Sequence, residues 1–554
     1  MRRFVIIFVL FYSLCVPLPA ALAQRKGGKA TATAAATSSR HGAEQITAEQ
    51  LRAYLTFIAS DEMEGRDTPS RGLDITAKFI ATHLSRWGFK PAGDAGTFFQ
   101  KIALRRERVD MSQSRVEIGG QQFAPGEDFI AFTPGGTVNL SAPIVYGGNG
   151  WYIKSKNIDP YQGMDVKDKI VVIASGDGLP KGLKRTDLVG RRGVDWDDPA
   201  AHAQKRGARA LFAIPDFQII SNWNAFRQRV MERTQATVEK FSATENKMAR
   251  MIMSPRMAAA LFQGEAHSAE EVFDAASAGS PLASFELRAD KRASLNLVAR
   301  PDTINTQNVV AIFEGSDPVL KNEYVAIGAH YDHVGIGAPV NGDAIYNGAD
   351  DDGSGTTAVL AMAEALAKTN PRPRRSVLLV WHCGEEKGLW GSKYFVQYPT
   401  VPLSSIVTQL NIDMIGRSRQ EGDTNAANRN LTGPNEVYVI GSKMMSTELS
   451  ELSERVNRSY LNLTLNYKYD DPADPERFFF RSDHYNYAQK GIPIIFYFDG
   501  VHEDYHRPDD EAEKIDYQKM ERITRTIYMT LWEIANAKER PRVDNQLPGA
   551  LTGQ

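Results

Sequence analysis

Seven side chains in the second half of this 554-residue chain could do metal chemistry: His330, Asp332, Asp351, Glu385, Glu386, Asp413 and, further on, His506. Imidazoles and carboxylates without thiolates suit zinc, cobalt or manganese, and a carboxylate that bridges two such ions is a frequent device in hydrolases. Taken singly these residues are ordinary. A His at a strand end is commonly just hydrogen-bonded, an Asp-rich turn such as Asp350-Asp351-Asp352-Gly353-Ser354 commonly caps a helix, and Glu385-Glu386 could be a solvated pair. What sets them apart is that each follows an apolar run instead of preceding one.

Those runs are the elements that must position the site. Residues 324–329, 376–381 and 406–412 are short and apolar, and they alternate with helical stretches such as 356–368. The expected fold is therefore α/β, with a mixed, mostly parallel sheet flanked by helices. In such sheets ligands bind beyond the carboxyl ends of the strands, so the candidates should converge on one edge. A further apolar run at 491–498 leads on to Tyr505-His506, and an amphipathic helix over 517–536 closes the domain. Near the start, Thr47 can cap a helix through Leu51, Leu55 and Ile58. A second helix, about 72–87, carries Ile75, Phe79, Ile80, Leu84 and Trp87 on one face and stops at Gly88. Between 111 and 287 the texture changes to short β-like runs without clustered His and acid, which reads as an inserted, mainly β (β/α) domain without catalytic residues. The catalytic domain then comprises 46–110 and 288–540, with a tail over 541–554.

Composition narrows the function classes. Hydrophobic residues at 42%, charged residues at 24% and a net charge of −2 describe an ordinary globular protein, with no basic excess to bind nucleic acid. Met1-Arg2-Arg3, the apolar run 4–16 and the ending Ala21-Leu22-Ala23 form the three parts of a secretory signal peptide, so 1–23 should be removed before Gln24 and the product exported to the periplasm or the extracellular space. Residues 24–45 are poor in large apolar side chains and read as a disordered leader. No other run reaches the roughly 18 apolar residues of a membrane helix, so no membrane association is expected after cleavage. Cys383 is then the only cysteine, which excludes an internal disulfide.

His330-x-Asp332, Gly348-Ala349-Asp350-Asp351-Asp352-Gly353-Ser354-Gly355, the segment from Gly384-Glu385-Glu386 to Gly391-Ser392, Asn411-Ile412-Asp413-Met414 and Tyr505-His506 resemble, in order, the motifs of the M28 zinc aminopeptidase family. The inserted segment resembles a protease-associated domain. The resemblance implies two zinc ions per chain bridged by Asp351, with a non-proline cis bond after it. One ion would take His330 and Asp413, the other Glu386 and His506. Asp332 would orient His330 through its second ring nitrogen, and Glu385 would be the general base. The implied activity is hydrolysis of the amino-terminal bond of peptides. Carboxypeptidase-like relatives, glutaminyl cyclases and binding proteins that have lost ligands use the same scaffold, and these motifs do not say which terminus the pocket walls recognise. The aromatic and acidic loop 467–480 could form such a wall.

Overall fold

The computed structural model describes residues 41–132, 136–174, 179, 182–232, 236–241 and 248–545. The expected signal segment 1–23 and the leader up to residue 40 lie outside the described residues. From Ala43 the chain is structured: Ala43–Gln45 form a 3₁₀ turn with Ala43 fully buried, so the leader ends earlier than its composition suggested. The helix α1 (Ala48–Ile58) follows, with the Thr47 side chain accepting from Gln50 N–H and Leu51, Leu55 and Ile58 buried at helical spacing. In α2 (Arg71–Arg86), capped by Ser70, the buried stripe is Leu73, Ala77, Ile80 and Leu84. Ile75, Phe79 and Trp87, expected on that stripe, flank it half-buried, because Leu73 and Ala77 shift the apolar face.

The site is carried by a ten-stranded sheet. Its labelled strands are β1 (Phe99–Val109), β2 (Ala299–Phe313), β3 (Tyr324–His330), β4 (Ser376–His382), β5 (Ile406–Ile412), β6 (Glu436–Ile440) and β7 (Ile494–Phe498). From one edge the order is Ala236–Val238, β1, β2, β4, β3, β5, β7, β6 and Thr464–Asn466, and the tenth strand, Lys90–Pro91, pairs with β2 off this path. The centre, β4-β3-β5-β7, is parallel, and the pairs β1-β2, β2-β4 and β6-β7 outside it are antiparallel. Parallel strands covered on both faces should be apolar throughout, and every residue of β4 and β5 is buried. One face packs on α3 (Gly355–Ala367), whose Val359, Leu360, Met362 and Leu366 join α1 and the closing helix α4 (Tyr517–Asn536) in one core. Register is level across the centre: His330 pairs with His382, Gly328 with Asn411, and Asn411 with Phe496. The carboxyl ends therefore open at one height.

β1 and β2 are long antiparallel partners, from Phe99 opposite Val309 to Val109 opposite Ala299, and they carry the chain out and back. Between them lies a second, nine-stranded sheet with its own core, which includes Val116, Phe129, Ile144, Val172, Phe212, Met251 and Leu295. This sheet reaches past the expected limit at Leu287, because Arg292–Leu297 pairs with both Arg115–Ile118 and Val138–Tyr146. Ala236–Val238 returns from the segment to pair with β1, so it also extends the first sheet. The expected tail is tied down as far as Asn545: Arg542 pairs with Glu448 at 2.6 Å and Asp544 N–H donates to Met445 O.

Arg66 joins the parts that frame the site. It is fully buried, and its guanidinium donates to the carbonyls of Ile58, Tyr331, Asn347 and Gly348. An unpaired buried carbonyl costs about 1–3 kcal/mol. Replacing the head group while keeping the stem, Arg66→Met, is expected to destabilise the protein by roughly 3–5 kcal/mol in chemical denaturation, as for a broken buried polar partnership. A loss below about 1 kcal/mol would mean that water or relaxation satisfies the four carbonyls.

Candidate metal centre

Each site residue leaves the end of a strand into a turn held by backbone hydrogen bonds. His330 is the last residue of β3; its N–H donates to Asp352 Oδ2 at 3.1 Å and its carbonyl accepts from Thr356 Oγ1 at 2.7 Å. The Asp350–Asp352 turn contains a cis Asp351-Asp352 bond and is pinned on all sides. Asp350 and Asp351 N–H donate to Asp510, Asp350 Oδ1 accepts from Gly416 N–H, and Asp352 Oδ1 accepts from Gly355 and Met414 N–H. The neighbours are thus occupied as acceptors, and Asp351 alone faces the cavity. After β4, Gly384 takes a positive φ and donates to Thr68 Oγ1, which turns Glu385 and Glu386 inward. Asp413 follows β5 and accepts from Ser482 Oγ at 2.6 Å. His506, at φ 54°, lies in the loop after β7 with its ring stacked 4.0 Å from that of Tyr505.

All five expected ligands converge. Asp351 Oδ1 lies 3.3 Å from His330 Nε2, and its other oxygen lies 3.0 Å from His506 Nε2. His330 Nε2 is 3.6 Å from Asp413 Oδ2, and His506 Nε2 is 3.2 Å from Glu386 Oε1. Two groups of possible ligand atoms result: His330, Asp351 and Asp413, and His333, Asp351, Glu386 and His506. The donor set suits divalent zinc, and Glu386 Oε1 and His506 Nε2 have no hydrogen-bond partner although both atoms are buried. Glu385 Oε2 stands 3.9 Å from His330 Nε2 and lines a recess with Met414, Phe478, Phe496, Phe498 and Tyr505.

Asp332 contacts Nδ1 of His330 through its backbone carbonyl at 3.1 Å, with its carboxylate 3.7 Å away. The carboxylate accepts from Glu385 N–H at 3.2 Å, so Asp332 couples the β3 end to the glutamate turn. His333 was not anticipated, and the structure puts its Nδ1 2.9 Å from Glu386 Oε1. Its signal was the spacing: three residues past a strand end, a turn brings a side chain back to the side of His330.

The electrostatics favour positive charge. Burial opposes ionisation of Asp351, yet His330, His506 and His333 hold its carboxyl well below the usual range. Glu386 is likewise held at about 2 against burial, by His333 and His506 among its neighbours. Burial alone would lower the imidazoles, but Asp413 and Glu385 raise His330 well above normal, and Asp351 and Glu386 push His506 up to about 10. Burial, with Asp413, Glu386 and Asp483 adding to it, lifts Glu385 well above the carboxylate range despite His330. Positive charge is what these carboxylates favour, and bound cations would supply it.

Comparison with known proteins agrees with this geometry. Residues 308–531 match the model of peptidase family M28. A probable zinc metalloprotease of Pyrenophora teres f. teres is 29% identical over 273 residues, 44% of this chain and 54% of that protein. Leucine aminopeptidase 2 of Arthroderma otae is 28% identical over 227 residues, 40% of this chain and 39% of that protein. The chain thus spans 54% and 39% of the length of these two relatives. The fold is similar to that of an aminopeptidase from Aneurinibacillus sp. strain AM-1, with a TM-score of 0.51 at 18% identity, covering 92% of this chain and 98% of that one. The ligand-bearing strands lie inside the segment 308–531, and over that segment the chain is similar to peptidase family M28.

Proposed function

We propose that the chain is an exported di-zinc aminopeptidase that releases single residues from the amino terminus of peptides. The observation that carries this reading is the two-sided placement of Asp351, one oxygen toward His330 and the other toward His506. His330 and Asp413 would hold one ion, Glu386 and His506 the other, with Asp351 shared. Bound zinc supplies Lewis acidity, lowering the pKa of water and polarising a carbonyl. Export is carried by the charged, apolar and small-residue pattern of residues 1–23.

The chain's own groups divide the remaining work. Glu385, oriented through its N–H by Asp332, accepts the proton of the attacking water and returns it to the leaving amine. Its neighbour Glu386 points to His506 and His333, so the two adjacent glutamates do not compete for one place. The recess is short and ringed by Met414, Phe478, Phe496, Phe498 and Val501, which suits one apolar side chain next to the scissile bond. Phe478, from the loop suspected of forming a wall, contributes to it. Arg481 also lines the recess, with its guanidinium 4.7 Å from the Phe478 ring centre, and a cation there favours a second reading in which a substrate carboxylate is recognised.

A panel of substrates separates the two. Amino-acyl anilides with a free amine should be cleaved, Leu and Phe preferred over Ala by at least about 10-fold, and N-acetylated versions should be inert. Cleavage of N-blocked peptides from their free carboxyl end would instead favour the Arg481 reading. A second expectation concerns the adjacent glutamates. Glu385→Gln should keep both zinc ions while turnover falls by roughly 10² to 10⁴, whereas Glu386→Gln should lose one ion. Turnover and zinc content measured on both variants check this, and the opposite pattern would mean the pair is reversed.

A further inference from the structure

His333 lies inside this centre, yet the five-residue ligand set makes no use of it. The position is built: its backbone N–H donates to Arg66 O at 3.2 Å, and its ring is fully buried. Gly348, at φ +59°, lies so close that a Cβ there would come within 2.4 Å of His333 Cγ. Neither ring nitrogen has a hydrogen-bond partner, although Nδ1 approaches Glu386 Oε1 to 2.9 Å. Glu386 Oε1 is also without one, so the two atoms lie side by side without bonding, as ligand atoms aimed at a common point do. Such a buried imidazole is costly unless something else occupies that point.

The spacing identifies the occupant. Nδ1 of His333, Oδ2 of Asp351, Oε1 of Glu386 and Nε2 of His506 are separated by 2.9, 3.0, 3.2 and 3.7 Å along four of the edges they define. A tetrahedral zinc site with bonds of about 2.0–2.1 Å has edges of about 3.3–3.4 Å, within that spread. We propose that His333 is a fourth protein ligand of the zinc ion held by Asp351, Glu386 and His506, which makes the two metal positions unequal. This rests on the di-zinc reading. The position with His333 is closed by four protein ligands, as in structural zinc sites; the position of His330, Asp351 and Asp413 has three and keeps a corner open, as in catalytic ones. The open position is also the one beside Glu385. The closed position therefore fills first and empties last.

Stepwise zinc loading of the metal-depleted full-length protein tests this. Affinities are read by competition with a chelating indicator, and the imidazoles bound per zinc by X-ray absorption, for the wild type, His333→Gln and His333→Ala. At one equivalent the wild-type ion should show two imidazoles, His333 and His506, and in both variants the first-equivalent affinity should fall by more than about 100-fold. A smaller fall is what a hydrogen-bonding partner of a ligand would give, and it would overturn the assignment. If neither variant folds, the wild-type spectrum at one equivalent decides alone: two imidazoles support the assignment and one overturns it. A wild-type protein that binds no zinc overturns the di-zinc reading itself, and this assignment with it.

Discussion

Carboxylates taken out of water raise the free energy of the folded state unless cations or hydrogen-bond donors replace the lost hydration, and this centre collects an unusual number of them. Asp332, Asp350, Asp351, Asp352, Asp413, Asp483 and Asp510 are all buried. The fold answers in two layers. The outer acids meet protein partners: Asp350 lies 3.3 Å from His502, Asp483 lies 3.4 Å from His382, Asp510 accepts two backbone N–H groups, and Arg417 approaches it to 3.7 Å. Against the inner set, Asp351, Glu385, Glu386 and Asp413, stand three imidazoles and the Ser482 hydroxyl. That imbalance is the physical reason to expect divalent cations there.

The scaffold makes the imbalance possible by being rigid where charge is concentrated. Level register across β3, β4 and β5 brings three strand ends to one height, and the buried strands beneath shut water out from below. Arg66 ties the turn after β3 to the segment preceding the Asp-rich turn, so His330, His333 and Asp351 are referenced to one another through the backbone. Repulsion between acids is thus borne by a network of backbone hydrogen bonds around the site.

Much of this was legible in the sequence because it depends on local pattern. Apolar runs followed by His330, Glu385-Glu386 and Asp413 announce strands and the edge at which they end, and the helix cap at Thr47 follows from residue type. What escaped depends on partners distant in sequence. The second sheet continues to Leu297 because Arg292–Leu297 finds its neighbours in Arg115–Ile118 and Val138–Tyr146, far away in sequence, and that pairing leaves no local mark at Leu287. The tail holds because Arg542 reaches Glu448. The carbonyl role of Asp332 depends on how the chain turns after β3, which residue types do not specify.

The central claim is that a single carboxylate, Asp351, organises two cation positions. Diffraction from crystals of the zinc-loaded protein, recorded above and below the zinc absorption edge, tests it most directly. Two anomalous peaks should flank Asp351, one among His333, Glu386 and His506 and the other between His330 and Asp413. A single peak, or peaks that Asp351 does not separate, would contradict the account.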